Sequence, residues 1–130
     1  MKRFIHIPKT AGRSMIKFLR ENKLQVNSPR TKDNGAHTKK HRTAYKYYQD
    51  FPNEERFCIV RNPYSRIVSF YNFAIKMGWL EKDYPWMQFV MDRPYIAPLR
   101  NNQPWRLQID YIMNNNKFYV HKKFKLETEL

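Results

Sequence analysis

The chain has 130 residues, with 25 Lys plus Arg against 11 Asp plus Glu, a formal charge of +14 and a pI of about 10.0. That length suits one domain and excludes two independent cores or a long repeat array. Apolar residues at 42% and aromatics at 16% are too much hydrophobic material for a disordered tail, while no apolar run approaches the roughly 20 residues of a membrane span.

Met1-Lys2-Arg3 has the charge of a signal-peptide start, but only Phe4-Ile5-His6-Ile7 follows before Pro8 and Lys9 interrupt it. With one cysteine, Cys58, an internal disulfide is excluded and a cysteine metal cluster is disfavoured. The expectation is a soluble, cytoplasmic domain. Its charge is uneven: Lys2–Lys46 holds 13 basic and 2 acidic residues, and the rest 12 and 9. Such a field gathers anions without naming one. Nucleic acid, acidic glycan, nucleotide and anionic lipid all stay open.

In chain order, Arg3–Ile7 reads as a short strand, 8–12 as a turn, and Ser14–Asn22 as a helix with Met15, Phe18 and Leu19 on one face. Asn27–Lys40 reads as a loop. Thr43–Phe51 has the spacing of a short helix closed by Pro52. Arg56–Val60, β-branched and aromatic, is the best strand core. Asn62-Pro63 has the form of an N-cap followed by proline at the first helical position. The stripe Ile67, Phe70, Tyr71, Ala74, Ile75 extends that helix to Gly78. Short helices are expected over Trp86–Met91 and Trp105–Met113, and a third strand over Phe118–Val120. This alternation implies an α/β layer fold with a parallel sheet, where ligands bind beyond the C-terminal ends of the strands.

Both strand-to-helix turns carry anion-binding chemistry. The first is Pro8-Lys9-Thr10-Ala11-Gly12-Arg13-Ser14. Glycine permits a close backbone approach, the helix start offers unpaired N–H donors, and Lys9, Thr10 and Ser14 add a charge and two hydroxyls. The order is not that of a Walker A loop, since the lysine precedes the glycine. An ordinary turn, using Gly12 for geometry and Ser14 as cap, is the alternative. The second turn runs from Arg61 to Tyr71. Arg66 and Ser69 share a helix face, and an arginine fork with a hydroxyl can grip one phosphate from two sides. The alternative there is a surface arginine on a capped helix. Two such turns suggest a ligand with two separated anionic groups.

The segment Phe4–Ser14 resembles the 5′-phosphosulfate loop of sulfotransferases that use PAPS (3′-phosphoadenosine 5′-phosphosulfate), especially the carbohydrate branch that includes heparan-sulfate 2-O-sulfotransferase. Ile59–Tyr71 is similar to that branch's 3′-phosphate motif, RxPxxRxxSxY. The resemblance is clear over residues 3–75 and faint afterwards. Arg13 stands where the family commonly has a small hydroxyl residue. Gln108–Ile112 resembles a family helix carrying a glutamine near the acceptor site, and 118–130 a late strand with an acidic segment. The implied fold is a P-loop-NTPase-like three-layer α/β domain with a short central parallel sheet. It spans 1–130 as a single unit, with the family's C-terminal part reduced or missing.

The resemblance implies transfer of a sulfuryl group from PAPS to an acceptor hydroxyl, that of a carbohydrate, with 3′,5′-ADP as product and no metal. Lys9 would contact the leaving oxygen, the backbone of Thr10, Ala11, Gly12, Arg13 and Ser14 would hold the 5′-phosphate, and Arg61 and Ser69, in the motif that includes Arg66, the 3′-phosphate. The branch places its catalytic histidine between the two motifs, where His37 and His41 lie. His41, followed by Arg-Thr-Ala-Tyr, matches better. His6 reads as a buried structural histidine and His121 as a surface one. No nucleic-acid partner is expected, and the acceptor cleft is completed either within one chain or by a homodimer. The competing readings are a non-catalytic basic nucleic-acid-binding module, for which no motif is present, and a small-molecule kinase, which the missing Walker A order disfavours.

Overall fold

In a computed structural model that describes residues 1–27, 42–92 and 107–129, the two expected central strands form side by side. They are β1, Lys2–Ile5, and β3, Glu55–Val60, parallel and in register from Lys2 opposite Glu55 to Ile5 opposite Cys58. β2, Val26–Asn27, pairs with the outer edge of β1, and β6, Lys122–Lys125, with the outer edge of β3. The result is a four-stranded parallel sheet in the order β2-β1-β3-β6.

Alternation of side chains along each strand sorts them onto two faces. Phe4 and Ile59 pack with Ile16 and Leu19 of helix α1, Gly12–Glu21. Ile5 and Cys58 face the other way, with Ile7, against Ala44 and Tyr47 of α2, Ala44–Asp50, and Tyr111 and Ile112 of α5, Gln108–Ile112. Both faces of the central strands are therefore covered, as a parallel sheet requires. A third cluster, Phe70, Ala74, Leu80 and Phe89, joins α3, Pro63–Lys76, to α4, Trp86–Asp92. Burial pushes the Cys58 thiol up to about 12, which leaves it protonated and unreactive. Among the described residues no helix is long and apolar enough to cross a membrane.

Three sequence expectations need correction. The loop expected from Asn27 begins one residue too early, and the strand before it was not expected: Val26 and Asn27 pair with Lys2 and Arg3. Helix α1 starts at Gly12 rather than Ser14. The third sheet strand is not 118–120. Phe118 instead belongs to an antiparallel hairpin of β4, Met113–Asn114, and β5, Lys117–Phe118. Asn115 and Asn116 turn it, both left-handed with φ of 48° and 60°, the conformation asparagine tolerates in a tight reversal. The sheet strand follows at Lys122–Lys125, where exposed lysines occupy an edge and discourage pairing with other chains. His121 is exposed, yet its Nδ1 accepts the Arg56 N–H at 2.9 Å and its own N–H donates to the Arg56 carbonyl at 2.7 Å.

The end of the sheet away from the turns is closed by charge. Arg3 makes a bidentate pair with Glu54, whose Oε1 also accepts from Asn27 at 2.6 Å. The guanidinium lies 4.5 Å from the centroids of both Tyr47 and Phe51, so the end of α2 and the Glu54 turn meet on this β1 cation, and β2 joins through Glu54. Burial pushes the Glu54 carboxyl up, but the Arg3 and Asn27 bonds and the Arg3 charge outweigh it and hold it below the usual 4.5. A carboxylate depressed in this way contributes stability that is complete above its unfolded-state pKa and lost as pH falls through the folded one. Replacing Glu54 with Gln is expected to cost about 3 kcal/mol at pH 7. It should also flatten the acid limb of the stability curve below about pH 4.5, measured by urea unfolding at a series of pH values.

Candidate functional site

β1 and β3 are neighbours and parallel, so their two exit turns lie together at one end of the sheet. In the first, Lys9 and Ala11 both adopt left-handed φ of 63°. For residues with a Cβ that conformation costs roughly 1–2 kcal/mol each. In such a turn successive amide N–H groups can face one concavity. The turn leads into the start of α1, whose ladder opens with the Met15 N–H on the Ala11 carbonyl at 3.0 Å and whose first N–H groups have no intrahelical partner.

Several groups hold this shape. The Thr10 hydroxyl donates to the Ile7 carbonyl at 2.8 Å, so it braces the turn rather than facing a ligand. Gly12 is not left-handed. Its missing side chain makes room for His6, since a Cβ there would lie 1.8 Å from the His6 Cδ2. Close approach of a buried ring is thus one reason for this glycine, which the sequence did not foresee. Ser14 is not the cap. Ala11 is, without a side-chain bond, and Ser14 stands exposed in the first helical turn beside exposed Arg13.

The second turn is built as expected. Asn62 caps α3, its Oδ1 accepting from Tyr64 at 2.9 Å and Ser65 at 3.4 Å, and Pro63 follows. Its arginines reach the first turn. The Arg66 Nε donates to the Pro8 carbonyl at 3.0 Å and the Arg61 Nη1 to the Lys9 carbonyl at 3.4 Å. Arg66 is buried, which pulls its guanidinium down to about 10, still charged at neutral pH. It serves here as an internal brace, whereas the sequence placed it on a phosphate. Arg61 keeps a buried Nε with no hydrogen bond among the described residues, and its ion partner there, Glu127 Oε1, is 3.7 Å away. Ser69 is half-buried one turn beyond Arg66 on α3.

The turns concentrate positive charge. Burial, followed by the charges of Arg13, Arg61 and Lys76, pulls the Lys9 ammonium below the usual lysine value. Its Nζ sits 4.2 Å from the centroid of the Phe73 ring, and the Arg13 guanidinium is 5.9 Å from that ring. Phe73 and Lys76 were missed by sequence reasoning, although they continue the helical stripe of Arg66 and Ser69 at the expected spacing. The resemblance put the glutamine of Gln108–Ile112 near the acceptor site and an acidic segment within 118–130; their bonds to the second turn, from Gln108 and Glu127, were not foreseen. His37 and His41 lie outside the described residues, as does most of the loop expected over 27–40 and the start of the helix expected from Trp105. Among the described residues no group of three His, Cys, Asp or Glu side chains forms a metal site.

The model of the sulfotransferase family matches residues 3–121. The chain belongs to the sulfotransferase family. No curated protein and no solved structure matches it at a significant level. As a sulfotransferase it catalyses sulfuryl transfer, and the family match covers both turns and every contact between them.

The packing of His6 on Gly12 yields a test. Gly12→Ala should cost about 1–3 kcal/mol through overpacking, and the double variant with His6→Ala should recover part of that loss. Thermal unfolding of the single and double variants measures the coupling, and strict additivity would contradict the packing account.

Proposed function

We propose that this sulfotransferase takes PAPS as donor and transfers its sulfuryl group to a hydroxyl of a carbohydrate, in the manner of the heparan-sulfate 2-O-sulfotransferase branch. The P-loop-like fold and a single domain over 1–130 belong to the same reading. The observation that carries it is the bridge between the turns: Arg61 on the Lys9 carbonyl and Arg66 on the Pro8 carbonyl. One bound molecule can then meet both turns, and a nucleotide with phosphates at two ends fits two neighbouring cationic turns. The buried Arg61 Nε, without a hydrogen bond among the described residues, and the depressed Lys9 ammonium are what an anion site built for a ligand would contain.

When bound, PAPS supplies a sulfuryl group attached to a phosphate leaving group. The curled backbone of 9–14 and the start of α1 hold the 5′-phosphate. Arg61, before α3, and Ser69, on α3, hold the 3′-phosphate, and Arg66 keeps the two turns in register. Lys9 stabilises the charge that grows on the bridging oxygen as its bond to sulfur breaks. The acceptor oxygen forms the new bond to sulfur, and its proton passes to a histidine base, His41 in preference to His37.

Calorimetric titration tests the donor assignment: 3′,5′-ADP should bind well above ATP. Equal binding, or salt-sensitive binding of nucleic acid that saturating 3′,5′-ADP leaves untouched, would favour a nucleic-acid module. Lys9→Ala should lower kcat about 10²–10³-fold with little change in 3′,5′-ADP affinity. Arg61→Ala should weaken that affinity about 10- to 100-fold. With labelled PAPS and a panel of glycan acceptors, His41→Ala should lower the transfer rate about 10²–10⁴-fold and His37→Ala should leave it nearly intact.

A further inference from the structure

Arg61 is gripped by its backbone as well as by its side chain. β6 pairs with β3 as far as Val60 opposite Lys125, so the sheet ladder stops one residue short of Arg61. There the side chain of Gln108, the first residue of α5, takes the place of a strand. Its Oε1 accepts the Arg61 N–H at 2.8 Å and its Nε2 donates to the Arg61 carbonyl at 2.7 Å. On the following residue, the Glu127 carboxylate accepts the Asn62 N–H at 3.1 and 3.3 Å.

A pair of bonds to the N–H and C=O of one residue fixes the peptide planes on both sides of its Cα, and with them the direction of Cβ. Only a primary amide of this length does both. Glutamate offers no donor for the carbonyl, asparagine is a methylene too short, and leucine leaves both backbone groups unpaired at a half-buried position, which costs free energy until they find water.

We infer that Gln108 is a positioning residue for Arg61 and through it sets how tightly the protein holds the 3′-phosphate of its donor nucleotide. The inference rests on the assignment of Arg61 to that phosphate. It gives the segment beyond residue 107 a part in donor binding, far in sequence from either turn.

The experiment compares 3′,5′-ADP with 5′-AMP, which lacks the 3′-phosphate, by calorimetry on the wild type and on Gln108→Leu. The variant should bind 3′,5′-ADP about tenfold more weakly and 5′-AMP as the wild type does. A purely structural role would lower both affinities together. If the variant does not fold, the wild type still decides. The side-chain amide resonances of Gln108 in a ¹⁵N-labelled sample should shift on addition of 3′,5′-ADP and stay in place with 5′-AMP. A wild type that binds the two nucleotides equally overturns the assignment of Arg61, and the inference with it. A wild type that discriminates, together with a Gln108→Leu variant that keeps the same ratio or a Gln108 amide that does not move, overturns the inference alone.

Discussion

Two hydrogen bonds from arginines to carbonyls hold the site together. Arg66 on Pro8 and Arg61 on Lys9 join the end of β1 to the end of β3 in the segment where the backbone leaves its comfortable conformation. Left-handed Lys9 and Ala11 persist only because their surroundings over-determine them. The Thr10 hydroxyl ties the turn internally, His6 fills the space above Gly12, and the arginines fasten it to the neighbouring turn. A loosened turn would relax toward ordinary backbone, and its amides could no longer face one concavity.

The strong positive charge divides into two kinds by environment. Arg3, Arg56 and Arg66 work inside the protein. Arg3 pairs with Glu54 between two aromatic rings, Arg56 donates to the carbonyls of Tyr119 and Glu54 at 2.6 and 2.7 Å, and Arg66 holds Pro8. Guanidinium suits these places because its planar fork can meet several carbonyls at once. Arg13, Arg61 and Lys76 instead gather around Lys9, and burial together with their charges pulls its ammonium below the usual lysine value. Net charge alone could not separate structural cations from those gathered around a site.

The parts legible in the sequence were those carried by local pattern. β1 and β3 are short apolar runs, α3 opens on Asn-Pro, and both turns sit between a strand and a helix as read. What stayed hidden depended on distant partners. Lys-Lys-Phe-Lys has no strand signature by itself and becomes β6 only because β3 offers it an edge. Val26 and Asn27 are strand for the same reason beside β1. The β4–β5 turn depends on two consecutive left-handed residues, Asn115 and Asn116. Gln108 and Glu127 meet the Arg61 turn across 47 and 65 positions, a separation no window can span. The role of Gly12 was also unreadable, since it depends on where the His6 ring points.

The placement of β6 has a consequence for biosynthesis. Glu55–Cys58 has a partner on one side as soon as β1 is available, but on the other side Phe57–Val60 waits for Lys122–Lys125. While the chain emerges from the ribosome, an apolar ribbon with open amide and carbonyl groups stays uncovered for some sixty residues of elongation. Pairing so distant in sequence is slow to form. A product released prematurely before residue 122 would keep that ribbon bare and ready to stack with its own kind, so the final strand doubles as the closure that keeps nascent copies apart.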